Sequence, residues 1–154
     1  MKARQFFEEV VRPNVAEFAA DFGNIRKALN ALQSVDALTA YIYNDAGRRS
    51  GTESKDDSAF RAKLSKQNPD FRLVRDVAKA AKHVVLEKAT PMVTKAEQIK
   101  VISLGWDIGS WDELRFDGPV QVVVVTDAGE HRTIEAVVSK ALEFLEGEMA
   151  RRGL

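Results

Sequence analysis

Residues 68–87 read NPDFRLVRDVAKAAKHVVLE, and their apolar positions recur every three or four residues. At about 100° per residue, Phe71, Val74, Val77, Ala78, Ala81, Val84 and Val85 gather on one side. This spacing predicts an amphipathic helix ending near Leu86 or Lys88. Arg72, Asp76, Lys79 and His83 gather on the other side, within roughly 60° of arc. Asn68 suits the N-cap and Pro69 the first helical turn. Asp70 complements the positive end of the helix dipole.

The same period runs through residues 3–21, carried by Phe6, Phe7, Val10, Asn14, Phe18 and then Phe22. Pro13 sits inside it, so a kink or break is expected near Arg12. A second helix is predicted over 24–43, apolar over a wide arc at Ile25, Ala28, Leu29, Leu32, Val35 and Ile42. Its polar strip holds Arg26, Asn30 and Gln33, with Arg26 and Asn30 four apart. Residues 44–56 are hydrophilic and rich in Gly and Ser, the composition of a loop. A short helix follows over 57–66, edged by Phe60 and Leu64. Residues 88–98 form a connector around Pro91.

Beyond residue 98 the pattern changes to β-rich runs at 99–106 and 120–126. Asp127-Ala-Gly-Glu130 is a tight turn with Gly where a left-handed residue is needed. Residues 130–133 return as a third strand. Thr133 caps a last helix from Ile134, whose apolar face runs through Val137, Val138, Ala141, Leu142, Leu145 and Met149. The expected fold is α+β in one domain, 1–154. It comprises a bundle of about four helices (1–97), a three-stranded antiparallel meander (98–133) with 120–126 central, and a C-terminal helix (134–152). Consecutive valines at 122–125 make both faces of the central strand apolar. One face packs on helices. The other would expose Val123 and Val125, and a patch of that kind marks an interface, here expected to form a homodimer.

Composition narrows the chemistry. With 154 residues, 45% of them hydrophobic, the chain can bury a sizeable core. The absence of cysteine excludes disulfides, thiolate catalysis and Cys-ligated metal centres. No run approaches the roughly 18 apolar residues of a membrane span, and Glu8 and Glu9 interrupt the place of a signal peptide. A soluble, cytoplasmic protein with no membrane partner is expected. The net charge is zero but unevenly spread. Residues 1–97 hold 17 Lys/Arg against 13 Asp/Glu, while 98–154 hold 6 against 10. Such an asymmetry can orient two subunits or favour an anionic partner. It is not the basic stripe of a dedicated nucleic-acid binder.

Motifs exclude more than they assign. The two histidines, His83 and His131, fall on different elements and form no metal pair at helical spacing. Asp56-Asp57 and Asp107/Asp112/Asp117 follow no calcium-loop pattern and read as turn and capping residues. There is no Gly-x-Ser-x-Gly elbow, no Gly-x-Gly-x-x-Gly after a strand, and no phosphate loop in 47–51. Trp106 and Trp111 suit a sheet edge or an interface as well as a stacked ligand. No cofactor and no metal are expected.

The candidate site is therefore the polar side of 69–87, read as a cluster of Arg26, Asn30, Arg72, Asp76, Lys79 and His83. Within it, Arg75-Asp-Val-Ala-Lys-Ala-Ala-Lys-His83 resembles the R-x4–6-H helix of HEPN domains, the helical domains of bacterial toxins, defence systems and RNases. Seven residues separate Arg75 from His83, one more than that motif has, and a helical wheel sets the two about 80° apart. The resemblance covers about 20 residues and the helix-rich first part of the chain. It implies metal-independent RNA cleavage at a cleft between two protomers, with Arg75 and His83 catalytic and Asp76 supporting. Two functions are thus in view. The first is a bacterial-type soluble domain acting through protein–protein interaction without catalysis. The alternative is a HEPN-like ribonuclease or toxin, with RNA as its partner.

Overall fold

The computed structural model of the chain describes residues 1–50, 56–86, 90–103 and 120–154, with the side chains of 48–50 set aside. The elements run α1 (Ala3–Phe6), a π-helical stretch (Phe7–Val11), α2 (Arg12–Ala19), α3 (Ile25–Ser50), α4 (Ser58–Gln67), α5 (Pro69–His83), a 3-10 turn (Ala96–Gln98), β1 (Ile99–Ile102), β2 (Gln121–Val125), β3 (His131–Thr133) and α6 (Ile134–Arg151). This is an α+β fold: a helical bundle, a three-stranded antiparallel sheet in the order β1-β2-β3, and a closing helix. No described helix is long and apolar enough to cross a membrane.

Pro13 does not break the first helix. A proline cannot donate to the carbonyl four residues back, and its ring displaces that carbonyl. The backbone absorbs this by widening into the π turn over Phe7–Val11, immediately before α2. Phe7 and Val11 stay in the core as a result. The guanidinium groups of Arg4 and Arg12 lie 5.4 and 4.8 Å from the Phe7 ring centroid, and each pairs with Glu8 at 2.9 Å.

Helix α3 runs to Ser50, beyond the expected end at residue 43. Local composition reads as a loop there, but tertiary contacts override it. Asp45 is buried and accepts the Ala3 N–H, which ties this extension to the chain's first helical residue. Asn44 Nδ2 donates to the Ala40 carbonyl at 2.8 Å. Buried residues from α1, α2, α3, α5, β2 and α6, with Leu64 of α4, make one contiguous core.

In the sheet, Ile99 pairs with Val124 and Ile102 with Gln121 on one side of β2, while Val123 pairs with Thr133 on the other. Val122 and Val124 join the core beside α6. The turn between β2 and β3 places Gly129 at φ +84, where a side chain would be strained. Its N–H donates to the Thr126 carbonyl at 2.9 Å. Thr133 then caps α6 through the Ala136 N–H.

The expected exposed valine face is corrected by the structure. Val123 points away from Val122 and Val124, yet it is only 1% exposed, and Val125 is half-buried. The chain itself covers this face, so Val123 is not available to a second copy.

Candidate functional site: a cationic cleft along α5

Asn68 ends α4 and starts α5. Its backbone is extended, at φ −138° and ψ 115°, and its Oδ1 accepts the Phe71 N–H at 2.7 Å. Asp70, in the first turn, pairs with Arg132 of β3 at 2.7 Å and so ties the start of α5 to the sheet. One side of α5 buries Phe71, Leu73, Val74, Val77 and Ala80. At roughly 1.5–3 kcal/mol for each large apolar side chain, that side fixes the helix's rotation. Arg72, Arg75, Asp76, Lys79 and His83 are thereby all directed into one cleft.

The helix ends at His83, three to five residues before the expected end near Leu86 or Lys88. Val84 takes φ 66° and ψ −47°, and the Val85 N–H donates back to the His83 carbonyl at 2.7 Å. This is a φ-positive γ-turn, a strained geometry for a β-branched residue. It turns the chain away so that Val85 pairs with Lys95 in an antiparallel bridge, with the Leu86 N–H on the Thr94 carbonyl at 2.7 Å. Val84 and Val85, expected on the buried side of the helix, are instead 59% and 48% exposed.

The returning strand supplies the cleft's second wall. The cleft encloses about 1150 Å³, between Ser65 and Lys66 of α4, the polar side of α5, and Val85, Leu86 and residues 90–92. Met92 is the joint of this wall. Its N–H donates to Asp76 Oδ2 at 2.9 Å, and its carbonyl accepts the Asp127 N–H at 2.8 Å from the β2–β3 turn. Arg72 Nη2 donates to the Thr90 carbonyl at 2.7 Å, and its Nε lies 3.9 Å from Asp76. Gln98 ties the same segment to the sheet: its Oε1 accepts the Thr94 N–H, and its Nε2 donates to Asp127 at 2.7 Å.

Among the described lining residues, Lys66, Arg72, Arg75 and Lys79 face a single carboxylate, Asp76. Burial raises the Asp76 carboxyl above its ordinary range, against the opposing pull of the Met92 N–H and the nearby cations. Burial also lowers the Lys79 ammonium, and the neighbouring Arg75 charge adds to the shift. Both shifts have the sign of groups partly removed from water. Arg75 Nη1 donates to Ser65 Oγ at 3.2 Å, while its Nε is buried without a hydrogen-bond partner. Next to the cleft, Arg61 is held by both oxygens of Asp36 at 2.8 Å and by Asp57 at 2.6 Å. Its charge is thus spent within the protein.

The structure divides the predicted cluster. Arg72, Asp76, Lys79 and His83 share the cleft and Arg75 joins them, although the wheel separates Arg75 from His83. Arg26 is exposed, and neither it nor Asn30 lines the cleft. His83 is exposed at the rim. Asp76 is only 9% exposed. Sequence reasoning missed Thr90, Pro91 and Met92. Two of their contacts to α5 go through main-chain atoms, which leave no side-chain signal.

No group of three or more potential metal ligands occurs among the described residues. Asp56 accepts the Ser58 N–H at 2.9 Å, a turn role, while Asp107, Asp112 and Asp117 lie outside the described residues, as do Trp106 and Trp111. Among the described residues, no Phe, Tyr or Trp lines the cleft. No protein-family model matches the chain, and no curated protein or solved structure matches it significantly.

Proposed function

We propose that this chain is a non-catalytic binding domain that captures an acidic protein partner in the cleft along α5. The observation that carries this reading is the composition of the cleft's described lining: four cations against one buried carboxylate, with aliphatic walls at Val85, Leu86, Pro91 and Met92. A cationic, partly desolvated groove favours carboxylates over water. The aliphatic walls suit a protein segment. The partner therefore docks on α5 and not on the Val123 face. Binding of a labelled acidic peptide, followed by fluorescence anisotropy, should weaken with added salt and be lost in Arg72→Glu. Binding that ignores both changes would refute the reading.

A second reading, a HEPN-like metal-independent ribonuclease, draws on one observation: Arg75 and His83 line the same cleft. It is tested by incubating the purified protein with single-stranded RNA in the presence of a chelator. We expect no cleavage. Cleavage that disappears in both Arg75→Ala and His83→Ala would replace the binding reading with this one.

A further inference from the structure

Val84 combines two features that stability alone does not favour. It holds φ 66°, a conformation that costs a β-branched residue energy and that glycine takes freely. Its side chain is also 59% exposed, so burial returns little of that cost. Val85 beside it is 48% exposed and lines the cleft. The turn is closed by the short His83–Val85 hydrogen bond and the Val85–Lys95 bridge. Two aliphatic side chains are thus held out beside His83, and the second of them, Val85, reaches the cleft.

We propose that Val84 and Val85 form an apolar anchor point of the cleft, and that the captured segment carries aliphatic side chains next to its carboxylates. This rests on the binding reading above and adds the partner's second chemical requirement. The carboxylates meet Arg72, Arg75 and Lys79, while an aliphatic side chain of the partner covers the two valines. An apolar contact ringed by charged groups matches the general anatomy of a protein interface. Glycine at 84 would relieve the backbone and remove the contact.

The test uses the full chain and three labelled probes: a short peptide alternating Glu and Leu, one alternating Glu and Ser, and an oligouridylate of matched length. The Glu–Leu peptide should bind best. Val84→Gly and Val85→Ser should each weaken it by roughly tenfold, the loss expected for one aliphatic contact. Val84→Gly should melt at or above the wild-type temperature, whereas a truncation that merely damaged the fold would melt lower. Equal binding of the two peptides, wild-type affinity in both valine variants, or a lower melting temperature for Val84→Gly would overturn the inference. If affinity survives in the valine variants but is lost in Arg72→Glu, the cationic cleft stands and only the anchor falls. If Arg72→Glu has no effect, both fall. Tighter binding of the oligouridylate than of either peptide would assign the cleft to nucleic acid instead.

Discussion

Asp76 joins the cleft's two walls through a single atom, because its Oδ2 accepts the Met92 N–H. Asp76→Ala leaves that N–H without its partner and should cost about 1–3 kcal/mol in urea unfolding. Asp76→Asn keeps an acceptor and should cost less. The pH dependence has a definite sign. The folded Asp76 carboxyl lies above its ordinary value of 3.8, so the folded state binds this proton more tightly than the unfolded chain does. Its stabilising contribution is full below about 3.8 and is lost as pH rises through the folded value. Stability should therefore shift in favour of Asp76→Asn, relative to wild type, as pH rises above about 3.8. Glu148 behaves oppositely. Burial alone would raise it, but hydrogen bonds from Arg151 at 2.6 Å and Arg152 at 2.7 Å outweigh burial and hold it below 4.5. Its contribution is present above about 4.5 and is lost as pH falls through the folded value. Glu148→Gln should thus be more damaging at neutral pH than in acid. Parallel unfolding curves for these variants and wild type at all pH values would refute both assignments.

Helix α5 is bounded by two different causes. Its start is local: Asn68 caps it, and Asn68→Ala should cost about 1 kcal/mol, within the usual range for a lost cap. The check is chemical denaturation, and an unchanged midpoint would mean that the cap contributes nothing. Its end is not local. The apolar phase continues through Val84 and Val85, but the Val85–Lys95 bridge draws both residues out of the helix. Helix α3 shows the converse, since a loop-like stretch remains helical where Asp45 receives the Ala3 N–H. Pro13 was legible as a disturbance, but the π turn that accommodates it was not. Keeping Phe7 and Val11 in the core selects that outcome over a break.

At the scale of the whole molecule, the sheet is closed from both sides of β2. Val122 and Val124 enter the core, and Val123 on the opposite face is buried within the same chain. A lysine there would bury a charge without a partner, a cost of several kcal/mol. Val123→Lys is therefore expected to lower the melting temperature strongly or prevent folding, not merely to dissociate an oligomer. Sedimentation and thermal unfolding of the variant separate the two cases. A fully folded variant that differs from wild type only in its oligomeric state would show that Val123 serves an interface after all.

The α+β class, the central place of β2, the Gly129 turn and the capped starts of α5 and α6 were legible in the sequence. Each depends on periodicity or on side chains within a few residues of one another, such as Asn68 with Phe71. The polar residues that α5 brings to the cleft were legible too, because Arg72, Asp76 and Lys79 share one side of a single helix, whereas Ser65 and Lys66 of α4 were not. Only the tertiary structure made that side a cleft. Its second wall is set by main-chain hydrogen bonds between distant segments, Met92 to Asp76 and Asp127 to Met92, and backbone amides are alike at every position but proline. The burial of Val123 and the exposure of Val84 and Val85 were likewise decided at that level. Periodicity states which residues share a face, and packing alone decides whether that face meets water.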